Sequence, residues 1–251
     1  MQPRRVDVVR ALSWYGFGWQ TFMASPGVWI VMMLLIALIM MASHIIPFAG
    51  LLLLSLIWPA LIGALMRAAK KAAEGHAVDL TDLFSGLTTE TNRTPLLVQG
   101  AVLLRLWVLL GIVAVLFAGG SLGISAISGA FGVGNGAGVA LGVMGVGILL
   151  MSLIALIFML TAFVVQVFSI PLIMFHDVPP AEAMKSSTDA SLKNSAPLAV
   201  FLIIYFVLVM IAAIPFFLGF LVLGPVTVAA LYAGFRDIYA ETPGAREISV
   251  S

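Results

Sequence analysis

The chain is organised by its apolar runs. Six of them, near residues 27–45, 48–66, 96–118, 147–174, 198–214 and 216–235, carry a single charge between them, Arg105. A run of about 20 apolar residues crosses a ~30 Å hydrocarbon core as one helix, so the pattern predicts six transmembrane helices. The connections alternate in character: 1–25, 67–94, 176–196 and 236–251 are polar, whereas the turns near His44–Pro47, Gly119–Val146 and Pro215 hold no Asp, Glu, Lys or Arg. The expected fold is all-α, three antiparallel hairpins in a single membrane domain of 1–251.

Composition agrees with a membrane solvent. Hydrophobic residues make up 62% of the chain and charged residues 9%, where a soluble domain carries about 25% of the latter. Eleven of the twelve basic residues lie in the polar connections. By the positive-inside rule that side, with both termini, is cytoplasmic, an inference that the acids hardly influence. A net charge of +1 with interspersed acids argues against a nucleic-acid partner. Cysteine is absent, which removes disulfides and thiolate chemistry. Residues 1–27 have no compact apolar core, so no cleaved signal peptide is expected.

Three spans open alike, at Ser25-Pro26, Thr94-Pro95 and Ser195-Ala196-Pro197. A capping hydroxyl followed by proline suits a helix start, where the missing N–H costs nothing. Ahead of each lies a candidate amphipathic helix for the cytoplasmic interface. The first has a stripe of Val8, Leu12, Tyr15, Trp19 and Phe22, the second Leu80, Leu83, Phe84 and Leu87 behind Asp79, the third a weaker one of Ala181, Met184 and Leu192. The return helices carry Pro59, Pro171 and Pro225. The chain thus reads as three units, 4–76, 79–178 and 180–240, with a Gly-rich extracytoplasmic connection at 119–146 and a flexible tail at 241–251.

The stretch Phe175–Ser187, Asn194, the exit Leu231–Tyr239, the front end Gly18–Phe22 with Ser25–Ile30, and Asp82–Gly86 resemble an uncharacterised family of multi-spanning proteobacterial inner-membrane proteins. The resemblance covers most of the chain outside 100–150. It implies a bacterial inner-membrane location and brings no activity; Arg105 and the Gly-rich stretch depart from its pattern.

Catalytic signatures are sparse. Gly119-Gly120-Ser121-Leu122-Gly123 matches the hydrolase elbow in spelling, but the elbow needs a strand-to-helix turn with a histidine and an acid, and this stretch holds eleven glycines between 119 and 147 on a face without a carboxylate. The sequon Asn92-Arg93-Thr94 lies on the positive side. No His or acid cluster has metal spacing, and nothing calls for a cofactor. Gly134, Gly138 and Gly142 are spaced four apart, a pattern that lets membrane helices approach closely, itself or with another membrane protein; the same stretch also suits an external hairpin or a re-entrant segment. Arg105 lies about ten residues, ~15 Å, beyond Pro95, and Gln166 on the next span is at matching depth, so the two form a candidate polar site, with snorkelling as the alternative for Arg105. His176-Asp177 either anchors a helix end in the interface or supplies a proton acceptor with its orienter.

Three function classes stay open: a non-enzymatic protein binding other membrane components in assembly, scaffolding or envelope maintenance; a small transporter or channel using Arg105; and a lipid-acting enzyme at the cytoplasmic face using His176 and Asp177. The first is favoured by the missing catalytic groups and the association-prone glycines.

Overall fold

A computed structural model of the chain describes residues 2–46, 49–130 and 136–239, and every regular element among them is a helix. In order these are α1 (Arg10–Ala24), α2 (Pro26–Ile45), α3 (Ala49–Ala73), a 3-10 turn (Leu80–Phe84) leading into α4 (Ser85–Thr88), α5 (Glu90–Ala130), α6 (Gly136–Gln166), α7 (Ser169–His176), α8 (Pro180–Lys193), α9 (Ser195–Ala213) and α10 (Phe220–Tyr239). Six stretches are long and apolar enough to cross a membrane: Pro26–Ile45, Ala49–Ala73, Glu90–Phe117, Gly145–His176, Ser195–Ala213 and Phe220–Tyr239. The protein is an all-α, multi-pass membrane protein, and all six expected runs are helical.

Boundaries differ where local chemistry decides them. Pro26 opens α2 as expected, but α5 begins at Glu90, so Pro95 sits inside it. The last span starts at Phe220 rather than 216, because Phe216 and Phe217 after Pro215 take φ of 50° and 65°, a left-handed conformation that no L-residue continues as a helix. The described parts of the Gly-rich stretch, 119–130 and 136–146, are the ends of α5 and α6 rather than a loose connection. With 41 residues, α5 is about 60 Å long at 1.5 Å per residue. The tail 241–251 lies outside the described residues.

The chain divides into two compact units, Met1–Gly100 with Val164–Ser251, and Ala101–Phe163. The first has a well-filled interior, with Trp14, Trp29, Phe168 and Phe201 all almost completely buried. Its three short amphipathic helices each dock on a proline-containing return helix. Along α10, α1 sets Gly18 on the backbone of Val226, next to Pro225, so that a Cβ on Gly18 would run into the Val226 carbonyl. Gly86 of α4 stands in the same way on the backbone of Ala60, next to Pro59 of α3. Ser187 of α8 reaches the break between α6 and α7, where its hydroxyl donates to the Val164 carbonyl at 2.8 Å and accepts from the Phe168 N–H at 3.1 Å. Pro171, lacking an N–H, leaves the Val167 carbonyl without its usual helical partner, and an inserted side chain is a known way to hold such a break open. The opening helices of the three segments 4–76, 79–178 and 180–240 therefore pack on the return helices of the third, first and second.

The apolar stripes read from the sequence divide between the interior and the exposed side, with Tyr15, Phe22 and Leu83 buried. In α1 the buried face is Ala11, Trp14, Tyr15, Gly18, Thr21 and Phe22, while Val8, Leu12 and Trp19 are exposed. In the second segment Leu83 and Gly86 are buried and Leu80 and Phe84 exposed; in α8 Ala183, Ser187, Ala190 and Ser191 are buried and Leu192 exposed. The apolar stripes were expected to face the cytoplasmic membrane interface, and their exposed members remain on the outside. The protein-facing sides pair bulky residues such as Trp14 and Phe22 with small ones such as Gly18 and Gly86 that allow close approach.

Candidate functional site

Two polar centres lie in the first unit, and both come from connections that the sequence separates widely. One is a clamp around the end of α10. Asp237 accepts from Arg10 Nε at 2.9 Å and Nη2 at 2.7 Å and from the Trp14 indole at 2.7 Å. The bidentate geometry is the strong form of such a pair, and the bond to Asp237 raises the Arg10 pKa further. Arg4 donates its N–H to the Ile238 carbonyl at 3.0 Å. The fully buried Asn194, ahead of α9, holds the same segment like a strand partner: Nδ2 donates to the Arg4 carbonyl at 3.0 Å, and Oδ1 accepts from the Val6 N–H at 2.9 Å. The start of the chain and the end of α10 are thus side by side. Tyr15 donates to the Phe201 carbonyl at 3.2 Å and stacks on the Phe201 ring; burial, then the neighbouring Tyr205, pushes its hydroxyl pKa up. Across the same unit Lys71 bonds both oxygens of Asp82 at 3.0 and 2.8 Å. Between the chain start and α8, Gln2, Pro3, Glu182, Lys185, Asp189 and Lys193 help line an open groove of about 350 Å³, its two lysines balanced by two acids.

The other centre is a buried polar line between α3, α5 and α7. Arg67 donates to Thr89 Oγ1 at 3.2 Å and to Met174 Sδ at 3.7 Å, and Asn92 Nδ2 donates to the same sulfur at 3.2 Å. Seven residues along α5, the fully buried Gln99 donates to Ser169 Oγ, which donates in turn to the Gln166 carbonyl at 3.3 Å. Asn92 Oδ1, Gln99 Oε1 and Gln166 Nε2 have no partner among the described atoms. Each such atom costs about 1–3 kcal/mol in an apolar interior, so this line is held by packing, with Leu96 seated against Gly63 beside Ile170 and Met174.

The residues expected from sequence fall as follows. Gln166 is buried in the first unit, while Arg105 belongs to the second, where it is exposed on α5. His176 and Asp177 are both exposed at the end of α7; the His176 ring stands 5.9 Å from that of Phe235, and Asp177 ends the helix with φ of 51°. Gly142 faces open space, Gly138 lies in α6, and Gly134 is outside the described residues. The elbow-like Gly119–Gly123 runs within α5, where no strand-to-helix turn exists. Asn92 of the sequon is buried. Among the described residues no three His, Asp or Glu gather as metal ligands. Sequence reading passed over Gln99 and Ser169; an amide seven residues after Asn92 on one helix face of an apolar span was the available signal.

No family model, curated protein or solved structure matches the chain.

Proposed function

We propose that this protein is a non-enzymatic component of a bacterial inner membrane, both termini cytoplasmic, that works by binding other membrane components through residues 101–163. The observation that carries this reading is the contrast in burial between spans. In the 18-residue apolar core of Glu90–Phe117 6% of residues are buried and in that of Gly145–His176 0%, against 61% for Phe220–Tyr239. Gly111, Gly119, Gly120, Gly123, Gly129, Gly142 and Gly145 all have open space where a side chain would be. Glycine weakens a helix by about 1 kcal/mol relative to alanine, a cost that close approach of another membrane helix offsets. The clamp of Asp237, Asn194 and the chain start ties the first unit together on the side of its charged connections. Sidedness is supported by the basic residues and by the pairing of Arg4 with Ile238, and location by the family resemblance of 175–187 and 231–239.

The test places a photo-crosslinking residue at Ile112, Leu116, Ile148 or Leu153, and for comparison at Leu38, Ile203 or Phe206, all exposed. Protein adducts are expected from the first group and chiefly lipid adducts from the second. Lipid adducts alone from both groups would sink the binding role, and a periplasmic reporter signal after Lys193 would overturn the sidedness.

A second reading, transport, draws on the break between α6 and α7 beside Gln99, Ser169 and Gln166, since interrupted helices with polar groups at membrane depth line substrate sites in transporters.

A further inference from the structure

We propose that the exposed face of α5 around Arg105 docks a different membrane protein, one that presents an aspartate or glutamate within its own span. This deepens the binding role above and rests on it. Arg105, Val108, Leu109, Ile112, Val115 and Leu116 follow each other at i, i+3, i+4, i+7, i+10 and i+11 on one side of α5, and all six are exposed. An arginine stays ionised in a protein. At about 15 Å beyond Pro95 along the helix it lies deep in the apolar run, where insertion costs about 2.5–3.5 kcal/mol.

The spans of the chain supply no acid for it. No Asp or Glu occurs in the interior of any span, and Glu90 is fifteen residues back along α5, about 22 Å. Asp237 is held by Arg10 and Trp14, and Asp82 by Lys71. Among the described residues Arg105 makes no hydrogen bond or ion pair. A second copy of this chain is an unsuitable occupant, because it would bring another arginine and no acid. A lipid phosphate lies at the headgroup level, farther along the membrane normal than one arginine side chain extends. A carboxylate at equal depth on another helix satisfies the planar guanidinium with two parallel bonds, and the apolar residues on either side of Arg105 give that helix a surface to lie on. An interhelical pair of this kind sets partner choice, since a helix lacking the acid leaves the charge buried and unpaired.

The experiment uses the full chain with a photo-crosslinker at Ile112, in membranes of its own organism, and sequences the adducts. The expected adduct is a different membrane protein whose crosslinked segment carries a mid-span Asp or Glu. Its yield should fall roughly tenfold or more, equivalent to about 1.4 kcal/mol, in Arg105→Leu and in the partner's acid→Leu variant, and by less in Arg105→Lys, which keeps the charge but loses the two parallel bonds. Membrane abundance and thermal midpoint are measured alongside; should Arg105→Leu fail to accumulate, Arg105→Gln takes its place. Adducts between two copies, or protein adducts equally abundant in Arg105→Leu, overturn this inference and leave the wider binding role standing. Lipid adducts alone at Ile112, with protein adducts from Ile148 or Leu153, mark Arg105 as snorkelling and overturn it too. An absence of protein adducts from every position of 101–163 overturns both.

Discussion

Gly145–His176, with a mean hydropathy of 2.9, has none of its apolar core buried, whereas Phe220–Tyr239, with 1.4, has 61% buried. In water the ranking would be reversed, because the transfer of apolar surface out of solvent drives burial. Lipid is as apolar as leucine and supplies no such drive between helices. What packs α10 is therefore its less hydrophobic content: Gly224 against Met33, Gly234 against Trp14, Ala230 beside Gly18, and a carboxylate that collects Arg10 and Trp14. Residues 101–163 show the converse, large apolar side chains pointing outward and, among the described glycines, all but Gly147 with nothing against them. The lesson is that in this protein hydropathy does not rank burial: close approach at glycines and shared polar partners, with bulky side chains such as Trp14 seated against them, mark the internal contacts of α10.

The comparison is tested most severely at its glycines. Gly18→Leu or Gly86→Leu drives a side chain into the carbonyl of Val226 or Ala60, a form of overpacking that costs about 3 kcal/mol or more against backbone. Both variants should lose most of their folded material in detergent thermal scans. Gly142→Leu, with open space around it, should stay within about 0.5 kcal/mol of the parent. Equal effects at all three would dissolve the distinction between the units.

The clamp comes next. Asp237→Ala leaves Arg10 and Trp14 without their acceptor, and the expected loss is about 1–3 kcal/mol, seen as a lowered midpoint and earlier proteolysis of residues 2–9. Arg10→Ala should cost less than about 1 kcal/mol, because its side chain is 53% exposed and solvent screens the pair. A larger loss for Arg10→Ala than for Asp237→Ala would show that the acid is not the organising group.

Ser187→Ala sharpens the comparison further, since it removes the two bonds that Ser187 makes at the helix break and leaves only the Ser191 hydroxyl on the Val164 carbonyl, at 3.3 Å. About 1–2 kcal/mol should be lost. Thr161→Ala, which removes only a bond to the Ile157 carbonyl of its own helix in the second unit, should move the midpoint within about 0.5 kcal/mol.

The smallest effect is expected at Gln99. Gln99→Leu deletes an unpartnered buried oxygen together with the bond to Ser169, and replacing a half-satisfied buried group with an apolar one of similar size is close to neutral, within about 1 kcal/mol. A loss above ~3 kcal/mol, outside the range of one hydrogen bond, would identify a polar ligand or water held there and favour the transport reading.

Much of this architecture was legible beforehand. The six spans follow from run length alone, because an unpaired backbone in lipid forces each apolar run to close its own hydrogen bonds as a helix. The grouping of charge on one side likewise needs no coordinates, and Ser25-Pro26 marked its helix start correctly. Arg105 stood out as a lone charge, and Gln166 as an amide in a span, since polar residues at that depth are rare. The stripe Val8, Leu12, Tyr15, Trp19 and Phe22 is split in α1, with Tyr15 and Phe22 buried and the rest exposed, because periodicity reports where bulk lies and not what it touches. Two partners as distant in sequence as Arg10 and Asp237, or Arg4 and Asn194, leave no local mark. Nor does a run of apolar letters reveal that Phe216 and Phe217 turn left-handed. The existence of the spanning helices belongs to the sequence, since it depends on neighbours along the chain and on the solvent around it, whereas their ends, as at Glu90 and Phe220, do not. Which faces meet, where Ser187 enters a broken helix, and which acid answers which base were decided by the tertiary structure, since close packing selects shape across the fold rather than along the chain.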